Sequence, residues 1–340
     1  MQRGGAGIGI AIEKSTPGLS LKHATDPDSD PDGEKRIEKY SMTCTNHKPQ
    51  WLSKRLSLDG KAGRLEDDLE KLRLHTVCRE ACCPNQAECF SRGTATFLIM
   101  GDVCTRDCRF CAIKSGIARD LDPGEPQRVA EEVERLSLRF VVITSVTRDD
   151  LDDGGAGHFA SVIKAIQGRC PDTGIEVLIP DFLGSEKALE IVCRARPQVL
   201  NHNLETVPRL YGAVRPQAKY ARSLEVIKRA AKMGLATKSG LMVGLGERPD
   251  EVEEVMSDLF HAGSRLLTIG QYLRPSTRHY PVFEYVRPEE FDRYRDKALS
   301  MGFSSVASSP FVRSSYMAQE FYDSFAKGHA RMGHNSSSML

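Results

Sequence analysis

Short, mostly apolar runs recur along most of the chain, each followed by a stretch in which apolar positions return every three or four residues. The runs fall at residues 96–99, 140–144, 175–179, 199–204, 237–243 and 266–272. Such runs suit short parallel strands buried on both faces. The helix-period stretches fall at 125–136, 157–167, 186–195, 221–233, 249–261 and 288–301. Six strand–helix units in series predict an α/β fold, with one parallel sheet curved into a partial (β/α)6 barrel of the TIM type. In that architecture functional groups gather at the C-terminal ends of the strands.

Both ends of the chain break the pattern. Residues 1–47, rich in Gly, Ser, Asp and Lys, bury too little apolar surface to order themselves and predict a mobile tail. Residues 48–93 form an N-terminal extension that carries the sole tryptophan, Trp51, and a helical spacing of Leu65, Leu69 and Leu72. The barrel then occupies 94–302 and a C-terminal segment 303–320. Residues 321–340 turn polar and predict a second mobile tail.

Charge changes this picture only by exclusion. The 47 Lys and Arg balance 46 Asp and Glu, for a net charge of +1, so nothing global attracts nucleic acid or an anionic membrane. No apolar run approaches the roughly eighteen residues of a membrane span. The apolar stretch 6–11 is followed by Glu13 and Lys14, unlike the core of a signal peptide. The expectation is a cytoplasmic protein with neither a membrane nor a nucleic-acid partner. Ten cysteines without a secretory signal then predict reduced, metal-binding thiols in preference to disulfides.

Seven of those cysteines lie between Cys78 and Cys111, and six form two runs of three. The first run is Cys78, Cys83 and Cys89; the second is Cys104, Cys108 and Cys111, just after the first predicted strand. A structural zinc site closes with four protein ligands, and neither run does. Two triplets suggest two iron–sulfur clusters, each with one iron left for another ligand. Cys44, Cys170 and Cys193 stand apart and read as inert.

The second run, with Phe110 directly before its last cysteine, resembles the radical S-adenosylmethionine enzymes in full. That resemblance implies a [4Fe–4S] cluster on Cys104, Cys108 and Cys111 whose open iron binds S-adenosylmethionine, and a 5′-deoxyadenosyl radical made by reductive cleavage. It also implies cofactor contacts at later strand ends: Thr144 and Asp149 after the second strand, Asn201, Asn203 and Glu205 at the fourth, and Gly244 and Glu247 after the fifth. His202, between the two asparagines, reads as a packed histidine as readily as a ligand.

The first run resembles the auxiliary-cluster motif of the lipoyl synthase family, and the likeness continues in order over about residues 48–318. It is carried by residues 144–151, 201–208, 237–247, 270–275 and the Arg313, Ser314, Ser315, Tyr316 motif. The resemblance implies a second [4Fe–4S] cluster on Cys78, Cys83 and Cys89, with a serine oxygen on its fourth iron: Ser315 by the family pattern, Ser314 as the alternative. The C-terminal segment must then fold back over the barrel mouth. Cys82, beside Cys83, is a departure that offers another ligand register.

The implied reaction inserts two sulfur atoms, at C6 and C8, into an octanoyl chain amide-linked to a carrier lysine, with sulfur drawn from the auxiliary cluster. Implied partners are the octanoylated lipoyl domains of 2-oxoacid dehydrogenase E2 subunits and the glycine cleavage H protein, an electron donor such as flavodoxin or ferredoxin, and an iron–sulfur carrier that rebuilds the cluster. Another sulfur-inserting radical enzyme is the alternative.

Overall fold

The computed structural model describes residues 48–53, 74–80, 83, 85, 96–316, 318–323 and 325. The expectations for the 1–47 tail, for the leucine-spaced stretch 65–72 and for Cys82 and Cys89 lie outside them. Among the described residues no helix is long and apolar enough to cross a membrane.

Strand β1 (His75–Thr76) runs antiparallel to β2 (Thr96–Ile99), pairing His75 with Leu98 and Thr76 with Phe97. Next in the chain, β3 (Val103–Cys104) and β4 (Lys114–Ser115) form a small separate pair. The main sheet then continues through β5 (Phe140–Ser145), β6 (Gly174–Leu178), β7 (Val199–Asn201), β8 (Ala236–Val243), β9 (Leu266–Gln271) and β10 (Ser305–Ser308). Its order is β1-β2-β5-β6-β7-β8-β9-β10, and every neighbour from β2 onward is parallel. All six predicted strands are therefore present, in sequence order. β10 is a further parallel strand that the pattern missed, because Ser-Val-Ala-Ser is too short and polar to register as an apolar run.

A short helix, α1 (Val77–Glu80), follows β1. The crossover helices are α2 (Glu125–Arg135), α3 (Ala156–Arg169), α4 (Glu186–Arg194), a single turn α5 (Tyr211–Val214), α6 (Tyr220–Lys232), α7 (Pro249–His261) and α8 (Pro288–Met301). Local chemistry sets their ends. Pro249 occupies the first turn of α7, where its missing N–H costs nothing, and Glu251 accepts from the Arg248 N–H at 2.8 Å. Gly302 stops α8 in a left-handed conformation, φ 104°.

Alternation along the strands gives the sheet two different faces. Val141, Ile143, Leu200, Leu267 and Ile269 pack under the helices. Phe140, Val142, Val199 and Leu266 point the other way and meet Ala318, Phe321, Tyr322 and Phe325. Residues 318–323 are helical, and Tyr322 stacks on Phe140 with ring centroids 5.3 Å apart. The expected tail boundary at 321 is thus corrected: the chain is packed at least as far as Phe325, because its aromatic residues cover the N-terminal end of the inner sheet face.

Candidate active site

The cysteine loop leaves β2 and is pinned at several points along its length. β3 pairs with β4 to close it, and the Gly116 N–H donates to the Cys104 carbonyl at 2.9 Å. Thr105 donates to the Thr147 carbonyl from both its N–H and its hydroxyl, each at 3.0 Å. Arg109 N–H donates to Val214 O at 2.9 Å, and Tyr280 N–H to Arg109 O at 2.7 Å. His279 Nε2 lies 3.0 Å from Cys111 O. The loop is therefore held by segments that follow three different strands.

One arginine of the loop is buried and paired with carboxylates. Arg106 makes a two-point bond to Asp149, at 2.6 and 2.9 Å, and donates to Asp181 at 2.6 Å. Burial would push the Asp181 carboxyl up, but the Arg106 hydrogen bond and charge outweigh it and hold it at about 2. Arg222 adds a longer contact to Asp181, 3.2 Å. Asp149, expected at the cofactor, is thereby committed to bracing the cysteine loop. Thr144 is likewise engaged, its hydroxyl donating to Leu178 O at 2.9 Å.

The three thiols fit a cluster. The N–H groups of Thr147 and Arg106 donate to the Cys104 sulfur at 3.3 and 3.4 Å, contacts suited to an anionic sulfur. Burial pushes the Cys111 thiol up to about 12 and raises Cys108, while neighbouring cysteines add to both shifts. Such a group of buried thiols becomes anionic only beside strong positive charge, which a metal centre provides. Among the described residues no three His, Cys, Asp or Glu side chains converge on a single ion. A cubane places each thiolate on its own iron and does not require such convergence.

Among the described residues several buried polar atoms at the strand ends have no hydrogen-bond partner. Buried and unpaired are Asn201 Oδ1, Asn203 Oδ1, Arg215 Nε and Ser145 Oγ, all at or beyond the C-terminal ends of β5 and β7. Unpaired buried atoms are costly, and a polar ligand would satisfy them. Glu205 adopts φ 68°, unusual for a non-glycine residue, and is tied by its backbone to Gly240 and Met242. Burial pushes its carboxyl up, against the opposing charges of Arg215 and Arg313. Glu247 instead braces its own turn, accepting from the N–H groups of Gly244 and Leu245 at 2.5 and 2.9 Å. Gly244, at φ 95°, has no room for a Cβ beside Gln271 and the Glu284 carbonyl, so the loop before α8 occupies that side. His202 is a packed residue. Its Nδ1 donates to Ile179 O at 2.8 Å, its Nε2 meets Ser223 at 3.0 Å, and burial lowers its pKa to about 4.

The first cysteine run is carried beside β2, the strand that leads into the second. β1 carries α1 against β2 and so fixes Cys78, whose thiol burial pushes up to about 11. The Cys83 N–H donates to Cys78 O at 3.0 Å. Asn85 then donates to Phe311 O at 2.7 Å, joining positions 226 residues apart. The C-terminal segment thus folds back to the cysteine extension. It lies on β9, where a Cβ on Gly270 would collide with the Val312 carbonyl. Arg313 is within electrostatic reach of both Cys83 and Glu205. Ser314 is held at two atoms: Asn203 Nδ2 donates to its hydroxyl at 2.5 Å, and Lys238 Nζ to its carbonyl at 2.6 Å.

Sequence reading missed Arg215, Asp181, Lys238 and Glu176. A signal for the last two was available, since a lysine and a glutamate each interrupt a buried strand, at Thr237-Lys238-Ser239 and Ile175-Glu176-Val177.

Comparison with known proteins agrees with this geometry. The Radical SAM superfamily model matches residues 98–259, from β2 through most of α7. The lipoyl synthase of Caldicellulosiruptor saccharolyticus is 56% identical over 275 residues, covering 80% of this chain and 96% of that one. That of Chlorobium phaeovibrioides is 57% identical over 273 residues, covering 80% and 96%. The chain belongs to the lipoyl synthase family. A member of that family is a radical S-adenosylmethionine enzyme with [4Fe–4S] clusters and S-adenosylmethionine as cofactors. The lipoyl synthase relatives, all matched over most of their length, decide against another sulfur-inserting radical enzyme. Solved structures are more distant. Streptococcus suis SuiB bound to S-adenosylmethionine is 12% identical, covers 64% of this chain and 50% of that one, and has a TM-score of 0.49. Methylornithine synthase is 16% identical, with coverage of 74% and 70% and a TM-score of 0.44.

Proposed function

We propose that this lipoyl synthase converts octanoyl-lysine on a carrier domain to lipoyl-lysine, with Cys104, Cys108 and Cys111 holding the radical-generating cluster and Cys78, Cys83, Cys89 and Ser315 the sulfur-donating one. The observation that carries the reading is the Asn85–Phe311 bond, which brings the extension of the first cysteine run against the serine segment. Bound there, the clusters and S-adenosylmethionine supply a radical able to take hydrogen from unactivated C–H bonds, together with the sulfur that replaces it.

The chain's own groups do the positioning. Arg106, gripped by Asp149 and Asp181, fixes the cysteine loop over the strand ends. Asn201 at the end of β7 and Asn203, Glu205 and Arg215 beyond it offer polar atoms to S-adenosylmethionine, and Gly244 with Glu247 shapes the turn after β8. Of the two serines, Ser314 is occupied by Asn203, whereas no hydrogen bond among the described residues engages the Ser315 hydroxyl. That difference favours Ser315 as the oxygen ligand. Oxygen is a poorer partner than thiolate for iron–sulfur chemistry, so Ser315 would be the weakest protein ligand of such a cluster.

The carriers are octanoylated E2 lipoyl domains and the glycine cleavage H protein, with a flavodoxin or ferredoxin as electron donor, an iron–sulfur carrier for rebuilding and the cytoplasm as the setting. Anaerobic incubation with S-adenosylmethionine, a reductant and an octanoylated lysine peptide tests the activity. Mass analysis should show two added sulfur atoms, and iron analysis about eight irons per chain. Ser315→Ala should still form 5′-deoxyadenosine while losing lipoyl product; product at the wild-type level overturns the ligand assignment.

A further inference from the structure

A buried ion pair crosses the inner face of the sheet where such barrels ordinarily carry branched apolar side chains. Lys238 of β8 and Glu176 of β6 are each 1% exposed, and Nζ meets the two carboxylate oxygens at 2.9 and 3.0 Å. Asn201 Nδ2 donates to the same glutamate at 3.0 Å. The third ammonium hydrogen goes to Ser314 O at 2.6 Å, so all three donors are used. The Phe321 ring lies 5.1 Å from Nζ and shields it. A buried pair of this kind is weak glue, since well-packed apolar residues of similar volume often stabilise as well or better. Its distinguishing property is direction. It presents one fixed N–H donor to one backbone carbonyl.

We propose that Lys238, oriented by Glu176, is a positioning residue that moors the serine segment, so that Ser315 can leave and rejoin the auxiliary cluster while its backbone stays in place. The mooring has two arms on the preceding residue, Lys238 on the Ser314 carbonyl and Asn203 on its hydroxyl. With Ser314 fixed at two atoms, release of Ser315 requires a side-chain rotation only. The hydroxyl remains near a cluster that has been rebuilt. This inference rests on Ser315 being the ligand, and its test separates the two claims.

The test uses full-length chains in which Cys104, Cys108 and Cys111 are alanine, so that the auxiliary cluster alone is seen by Mössbauer spectroscopy. Ser315→Ala in that background defines the spectrum without the oxygen ligand. Lys238→Met combined with Glu176→Gln removes both charges and strands neither. It should reproduce the Ser315→Ala spectrum and raise hydrogen exchange at residues 311–316 by about a hundredfold, as expected for a segment cut loose. In the chain with all cysteines, the same double variant should lose lipoyl product by a much larger factor than 5′-deoxyadenosine, because the Glu176→Gln side chain can still accept from Asn201 Nδ2. A wild-type spectrum in the double variant, with an altered one in Ser315→Ala, overturns the mooring. A wild-type spectrum in Ser315→Ala overturns the ligand assignment instead, and the mooring with it. If the double variant does not fold, Asn203→Ala severs the other arm and carries the same spectral comparison, and an unchanged spectrum there counts against the mooring.

Discussion

Arg106, from the middle of the cysteine loop, reaches Asp181 beyond the end of β6 at 2.6 Å, with side chains only 4% and 1% exposed. Two nearly dry, opposite charges make this contact intolerant of losing one partner. Asp181→Asn keeps the shape and removes the charge. Because Asp149 still grips Arg106, the cost should be about 2 kcal/mol, below that of a fully broken pair. Thermal melting should fall accordingly, and 5′-deoxyadenosine formation should fall with it as the loop loosens. An unchanged rate would show that Asp149 suffices.

His202 gives the fold a pH dependence with a defined sign. Its folded pKa is about 4 against an ordinary value of 6.5, because burial and the charges of Arg215 and Arg106 outweigh the pull of Asp181 and of the Ile179 carbonyl. Between those pH values the unfolded chain binds a proton that the folded chain refuses, so stability rises with pH through the window and is lost as pH falls. The loss from pH 6.5 to 4 amounts to about 3 kcal/mol. Urea unfolding of the cluster-free chain across this range should show it, and His202→Gln should flatten that part of the curve.

Gly270 sets how closely the C-terminal segment can approach β9. A methyl group there would strike the Val312 carbonyl, which is backbone and cannot swing aside. Gly270→Ala should therefore displace residues 312–315, leaving 5′-deoxyadenosine formation nearly intact and reducing lipoyl product by about a hundredfold, the scale of a displacement near 1 Å. Equal losses in both would place the damage in the barrel instead.

Phe321 lies over Lys238 and belongs to the aromatic group that covers the N-terminal end of the inner sheet face. Phe321→Ala removes a half-buried ring and a cation–π contact, at an expected cost of about 2 kcal/mol. Calorimetry checks it. Leu would restore most of the apolar contact but not the ring.

The sheet was legible because buried parallel strands leave an apolar run and their helices a 3.6-residue period, and both signals survive without tertiary context. β10 left no such mark, since Ser305 and Ser308 take their burial from neighbours. The cysteines announced themselves through spacing along the chain. Arg215 did not, because a buried cation in a loop is recognisable only once Glu205 is seen across from it, and Lys238 and Glu176 left a mark as charges inside buried strands without showing that they pair. Asp149 was legible as a polar residue at a strand end, but whether it faces a cofactor or Arg106 depends on a contact 43 residues distant.

The Asn85–Phe311 bond also sets when in synthesis its two segments can meet. A ribosome that has released residue 261 has already delivered every cysteine of both runs and most of the barrel. The loop of Cys104, Cys108 and Cys111 has by then met two of the three segments that pin it, through Thr147 and Val214. The extension that carries Cys78 and Cys83 lacks its contact with residues 311–312 until almost the whole chain has been made, since that segment folds back across β9. One cysteine run is thus framed by residues near it in the chain, and the other waits for the far end of the sequence.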